Sequence, residues 1–166
     1  YPRIEINLDK LSHNTKMALN ICRRNKIDLA VVTKVFCSMP DMVKIILEAG
    51  VSIIGDSRVE NLKRIKGLSC EKLLLRLPSI SQAEEVVRYA DISLNSEMDT
   101  LKALSKAAVK ANKVHKIILM IDLGDLREGI WPGEVINTSK EVIGLPNIEF
   151  LGIGTNLTCY GGIIPD

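Results

Sequence analysis

Short apolar, β-branched runs alternate with helical patterns along the whole chain, and this alternation limits the fold more than any other feature. Strands are expected at 4–8, 29–33, 51–54, 72–77, 91–94, 116–121 and 148–153. Most of these runs are almost continuously apolar, as parallel strands covered on both faces must be. The segments between them carry helix punctuation. Asp9 is placed to cap a helix with the stripe Leu11, Ala18 and Cys22. Pro40 suits a first turn, and Gly50 suits a left-handed C-terminal residue. Ser57 with Glu60, and Ser81 with Glu84, fit the Ser-x-x-Glu capping box. Met98, Leu101, Leu104 and Ala108 recur at helical spacing, and Pro132 opens a last helix that stops before Gly144. Successive βα units with short connections predict a parallel sheet with helices outside it. No Gly-x-Gly-x-x-Gly opens the first βα turn, so a TIM-type (β/α)8 barrel is the better reading than an open dinucleotide-binding sheet.

Polar residues fall where such a barrel does chemistry. Lys34, Asp56, Arg76, Asn95, Arg127 and Asn156 stand at or just beyond the carboxyl ends of successive strands. In a parallel barrel those ends converge on one face. Lys34 is the most telling of them. A lysine at the end of a buried strand is expected to lose hydration around its ammonium, which favours the neutral, nucleophilic amine. Amines attack aldehydes, so the position suits a Schiff-base lysine that holds pyridoxal phosphate. The plain alternative is a long cationic stem reaching past the strand into solvent.

Composition removes several other functions. The formal net charge is +2 and the basic residues are dispersed, which gives no track for a phosphate backbone. Aromatic residues make up 4% of the chain, too few for a base-stacking platform, so no nucleic-acid partner is expected. Cys22, Cys37, Cys70 and Cys159 form no Cys-x-x-Cys pair, so neither a zinc site nor a disulfide framework is expected. No apolar stretch is long enough to span a bilayer, so no membrane partner is expected and the cytoplasm is the expected compartment.

Three stretches resemble the pyridoxal-phosphate barrel proteins of the alanine racemase N-terminal type. They are Ala30-Val31-Val32-Thr33-Lys34, the run Asp122-Leu123-Gly124-Asp125-Leu126-Arg127-Glu128-Gly129, and Gly152-Ile153-Gly154-Thr155-Asn156. The wording around Gly55–Asn61, Ser93–Glu97 and Asn156–Gly162 looks most like ornithine racemases within that group. The likeness covers essentially all 166 residues, which reads as a single cofactor-binding domain over 1–166. Two positions depart from the pattern. Asn156 stands where alanine racemases have histidine, and Ser38 stands about where they place a phosphate-binding tyrosine.

The resemblance implies a racemase acting through pyridoxal phosphate on ornithine or another basic amino acid. Lys34 would be the catalytic, cofactor-holding lysine. Arg127, Asn156 and Asn95 would contact the cofactor, and Arg127 and Asp56 the substrate. Asp125 and Glu128 are further carboxylates for a cationic side chain, Asp122 is an inward or turn-stabilising one, and Arg76 a cavity-lining cation. Cys37, Cys159 and Tyr160 are the candidates for the second base. A full barrel needs eight strands in about 250 residues. The chain is therefore expected to be the first six strands of a longer homodimeric protein, weakly active or inactive by itself. The alternative implied function is a non-catalytic pyridoxal-phosphate homeostasis protein of the related single-domain barrels.

Overall fold

The computed structural model describes residues 2–157. It divides into two compact units, Tyr1–Leu73 and Leu74–Asp166. In the first, α1 (Leu8–Arg24), β1 (Ala30–Val32), α2 (Pro40–Glu48), β2 (Ile53–Asp56), α3 (Val59–Arg64) and β3 (Glu71–Leu74) follow one another. The strands lie in the order β1-β2-β3, with β1 and β2 parallel and Val31 paired with Ile54. Val43, Ile46, Ile54, Leu62 and Ile65 form fully buried layers between strands and helices. Each such side chain contributes about 1.5–3 kcal/mol relative to an exposed one.

The expected strand at 4–8 does not form. Asn7 is in extended backbone, and its side chain accepts from the Lys10 N–H at 2.9 Å, so helix α1 begins at Leu8. Asn7, not Asp9, is the cap, because its Oδ1 reaches an otherwise unpaired first-turn donor. Pro40 does open α2, and Gly50 takes φ 101° just after it. A Cβ on Gly50 would press Leu19 Cδ2 at 3.3 Å.

The second unit contains α4 (Ala83–Tyr89), β4 (Ile92–Asn95), α5 (Met98–Lys110), β5 (His115–Ile121), α6 (Val135–Ile143) and β6 (Ile148–Thr155). Its strands run β4-β5-β6, all parallel. Leu101, Ile117, Leu119 and Val142 are wholly buried together, with Phe150, Ile148 and Ile130 packed against them. Ile117 and Leu119 therefore face the helices, while Ile118 and Met120 face the other side of the sheet.

Two expected capping boxes shift. Ser57 and Glu60 do not cap α3; Asp56 Oδ1 instead accepts from the N–H of Arg58, the residue just before its first turn. The box expected at Ser81 lies two residues earlier, where Gln82 Oε1 accepts from the Ser79 N–H at 3.4 Å.

Register changes once in β6. Ile117 pairs with Phe150, but Ile118 pairs with Gly152, so Leu151 is an extra residue. Such a bulge reverses which face later residues take. Gly152 carries it at φ 147°, a conformation that favours glycine. Beyond it, Gly154 lies over Ile118 and Met120, where a Cβ would meet their side chains at 3.0 and 3.1 Å. Asn156 shares that parity and so belongs to the sheet face away from the helices.

Candidate active site

Lys34 is the first residue of a 3-10 turn, Lys34–Phe36, that follows β1. Its side chain is exposed, and its amine makes no hydrogen bond or ion pair among the described residues. The loss of hydration expected from its place at a strand end does not occur, since Lys34 is exposed like Val32 two residues before it. The amine is instead accessible and uncommitted, which is what covalent capture of an aldehyde needs.

The turn that carries it is held from beneath. Thr33, Ser38 and Asp56 are all completely buried. Asp56 Oδ2 accepts from Thr33 Oγ1 at 2.9 Å and from Ser38 Oγ at 3.0 Å. Its Oδ1 accepts from Asn61 Nδ2 at 2.9 Å and from the Arg58 N–H at 3.1 Å. Both oxygens are thus occupied by internal donors, away from solvent. This corrects the expectation that Asp56 binds substrate: parity with the wholly buried Ile54 turns it toward the helices. Cys37 and Ser38 take φ 53° and 50°, a left-handed conformation that costs about 1–2 kcal/mol per residue for non-glycine side chains. Cys37 is exposed, and its thiol lies 4.0 Å from the carbonyl of Lys34.

Asn95 also differs from expectation. It pairs in register with Leu119, on the helix side of the sheet, and is 1% exposed. Its Nδ2 donates to Ser93 Oγ at 2.9 Å and to the Ser93 carbonyl at 3.0 Å, which braces β4, while its Oδ1 is buried without a hydrogen-bond partner among the described residues. Ser93 Oγ in turn meets His115 Nε2 at 2.8 Å. Burial pushes the His115 pKa down to about 4 from 6.5, with the Asp91 carboxylate and a backbone hydrogen bond to Ala90 pulling the other way. Nothing in the strand pattern singled out this Ser93–His115 pair. A histidine at the start of an apolar run was the available signal. Arg76 is exposed beyond β3.

Arg127, Glu128, Asp125 and Asn156 are brought together at the carboxyl ends of β5 and β6. Asp122 Oδ1 accepts from the Gly124 and Leu126 amides at 2.8 and 3.1 Å, which fixes the turn as its expected stabilising role implies. The loop is closed at its base by Asp122 N–H to the Ile130 carbonyl at 3.0 Å and Ile130 N–H to the Met120 carbonyl at 2.9 Å. Gly129, at φ 127°, permits this closure; a Cβ there would sit 2.3 Å from the Asp122 nitrogen. Arg127 forms a forked pair with Glu128, Nε to Oε2 at 2.6 Å and Nη2 to Oε1 at 2.7 Å. Asn156 Nδ2 donates to the same Oε1 at 2.9 Å. Asp125 Oδ2 is buried without a hydrogen-bond partner among the described residues and lies 3.7 Å from Arg127 Nε. Two carboxylates thus surround one guanidinium, leaving the cluster with an excess negative charge. Cys159 and Tyr160 lie outside the described residues.

The chain is similar to several known proteins. Over 166 residues the chain is 50% identical to ornithine racemase of Acetoanaerobium sticklandii, taking in 99% of this chain and 47% of that protein. It is 37% identical over 167 residues to lysine racemase of Thermotoga maritima, covering 99% of this chain and 46% of the other. The chain therefore spans about half the length of these curated relatives. Among solved structures, alanine racemase from Streptomyces lavendulae superimposes with a TM-score of 0.79, at 20% identity, over 93% of this chain and 42% of that one. The fold is accordingly the parallel α/β barrel of that enzyme's N-terminal part, represented here through six strands. The family model for the alanine racemase N-terminal domain matches residues 6–163, and the chain belongs to that family.

Proposed function

We propose that residues 1–166 form part of the cofactor-binding barrel domain of a pyridoxal-phosphate-dependent racemase that acts on ornithine or another basic amino acid. The single observation that carries this reading is the exposed, uncommitted amine of Lys34 at the end of β1, in a chain 50% identical to an ornithine racemase. Pyridoxal phosphate, when bound, supplies the electron sink that makes the substrate Cα–H acidic. Lys34 holds the cofactor through its Nζ and serves as the base that takes or returns the Cα proton on one face.

Arg127 and Asn156 supply donors toward the cofactor and the substrate carboxylate from the β5 and β6 ends. Glu128 orients both of them, through the forked pair and the shared Oε1. Asp125 recognises the side-chain ammonium. Asp56 is saturated by internal donors and Glu128 is occupied, whereas Asp125 Oδ2 accepts nothing among the described residues. A buried carboxylate oxygen left without a donor is costly, and an alkylammonium supplies one. The proton on the opposite face belongs to Cys37, Cys159 or Tyr160. Of these, Cys37 shares the turn of Lys34, which favours the other two. The reading includes a cytoplasmic homodimer; the free thiols of Cys22 and Cys37 suit a reducing compartment.

The test uses the full-length protein. Its visible absorption is recorded with pyridoxal phosphate, and D- and L-ornithine, lysine and alanine are then added separately while optical rotation is followed. Loss of rotation with ornithine or lysine, and much less with alanine, is expected. A coloured protein that racemises none of them would replace this reading with cofactor homeostasis.

A further inference from the structure

The turn bearing Lys34 has both of its ends tied to one atom. Thr33, immediately before the lysine, and Ser38, four residues after it, each direct a hydroxyl at Asp56 Oδ2, at 2.9 and 3.0 Å. The two hydroxyls are also 2.7 Å from each other, which closes a triangle of oxygens. All three residues are 0% exposed. Backbone bonds complete the clamp: Ser38 N–H to the Thr33 carbonyl at 3.3 Å, and Thr33 N–H to the Gly55 carbonyl at 2.8 Å. Outside, Arg64 Nη1 holds the Cys37 carbonyl at 3.2 Å. Between the tied ends, Lys34 and Cys37 project into solvent.

The other oxygen of Asp56 holds the start of α3, through the Arg58 amide and Asn61 Nδ2. One carboxylate therefore joins the end of β1, the turn and the α3 N-terminus within this unit. Two consecutive left-handed residues, Cys37 and Ser38, have no glycine to ease them. Such strain persists only where surrounding contacts over-determine it, and here the contacts are those of Asp56. A hydrophobic residue of similar size would fill the space without holding the turn. The chemistry of this arrangement is that of a clamp.

We propose that Asp56 is a positioning residue for Lys34: by clamping Thr33 and Ser38 it sets where the lysine amine emerges, without itself touching cofactor or substrate. This rests on the reading of Lys34 as the cofactor-holding amine. Misplacing a reacting group by about 1 Å costs on the order of a hundredfold in rate. The clamp's value is thus kinetic as well as structural.

The test compares the full-length wild type with Asp56→Asn, Ser38→Ala and a control, Leu62→Ala. Leu62 is a wholly buried apolar residue of the same unit with no part in the clamp. Two quantities are read: hydrogen exchange of the Ser38 and Met39 amides, and the rate at which added pyridoxal phosphate becomes covalently attached to Lys34, trapped with borohydride and located by peptide mass. In Asp56→Asn, one oxygen becomes a donor facing two hydroxyls, so exchange should rise and capture should slow about tenfold or more. Ser38→Ala should show the same changes to a smaller degree. Leu62→Ala should lower the melting temperature with capture within about twofold of wild type. Wild-type capture by Asp56→Asn, or equal slowing by Leu62→Ala, overturns the proposal. Should the wild type attach no cofactor at Lys34, the functional reading fails. The clamp is then judged by exchange alone, where unchanged Ser38 and Met39 amides in Asp56→Asn overturn it.

Discussion

Acidification should unfold this protein partly through one buried imidazole. His115 is 1% exposed, and its Nε2 lies 2.8 Å from Ser93 Oγ. A backbone hydrogen bond to Ala90 takes the proton of the other ring nitrogen, so Ser93 Oγ, which accepts from Asn95 Nδ2 at 2.9 Å, directs its own proton at Nε2. That chain of donors requires Nε2 to be an acceptor, the neutral form of the ring. Protonation would place two donors on Ser93 and leave its hydroxyl proton without an acceptor. Burial accordingly pushes the folded-state pKa to about 4, against 6.5 for the free side chain.

The sign follows from proton binding. Between these two values the unfolded chain binds a proton at His115 and the folded chain does not, so stability falls as pH drops from 6.5 toward 4. At about 1.4 kcal/mol per pKa unit, the loss is about 3 kcal/mol, a large fraction of a typical domain's stability. Below about pH 4 both states carry the proton and this contribution levels off. Urea unfolding of wild type and His115→Gln across pH 7.5 to 3.5 isolates the effect, since the amide does not titrate and other groups cancel. Wild type should lose about 3 kcal/mol more than the variant over that range. Parallel curves would refute the reasoning.

Gly129→Ala should cost about 2–4 kcal/mol, because the new Cβ meets immovable backbone at Asp122 and Ile121 and must adopt a disfavoured φ. A urea midpoint within the equivalent of about 0.5 kcal/mol of wild type would contradict the loop closure described. Asp125→Asn should raise KM for ornithine by about tenfold or more and leave KM for alanine nearly unchanged, since only the former carries a side-chain cation. Equal effects on both substrates would remove Asp125 from side-chain recognition.

Much of the architecture could be read from the chain because its buried strands are short and apolar. β1 through β6 each overlap an expected run, and Leu101, Leu104 and Ala108 are buried on α5 as their spacing implied. Ile4 and Ile6 misled because an apolar residue has no preferred structure without a neighbour. Ile4 is 92% exposed, and Asn7 starts a helix before any strand can pair. The site was legible as a set of strand ends but not as a set of directions. Asp56 and Asn95 share the parity of buried Ile54 and Ser93, and that parity already turns them toward the helices. Asn156 escapes the same fate through the extra residue at Leu151, which only the glycine at 152 hinted at. In the sequence Thr33 is only the residue before a lysine, and Ser38 only the residue at a tyrosine's place. Their hydroxyls acquire a role once Asp56 is seen between them.

The most direct test of the account is to incubate the full-length protein with pyridoxal phosphate, reduce with borohydride and map the modified peptide. The pyridoxyl group should be found on Lys34, and Lys34→Ala should carry none while keeping its fold. A label placed on another lysine, or retained after that substitution, would contradict the account.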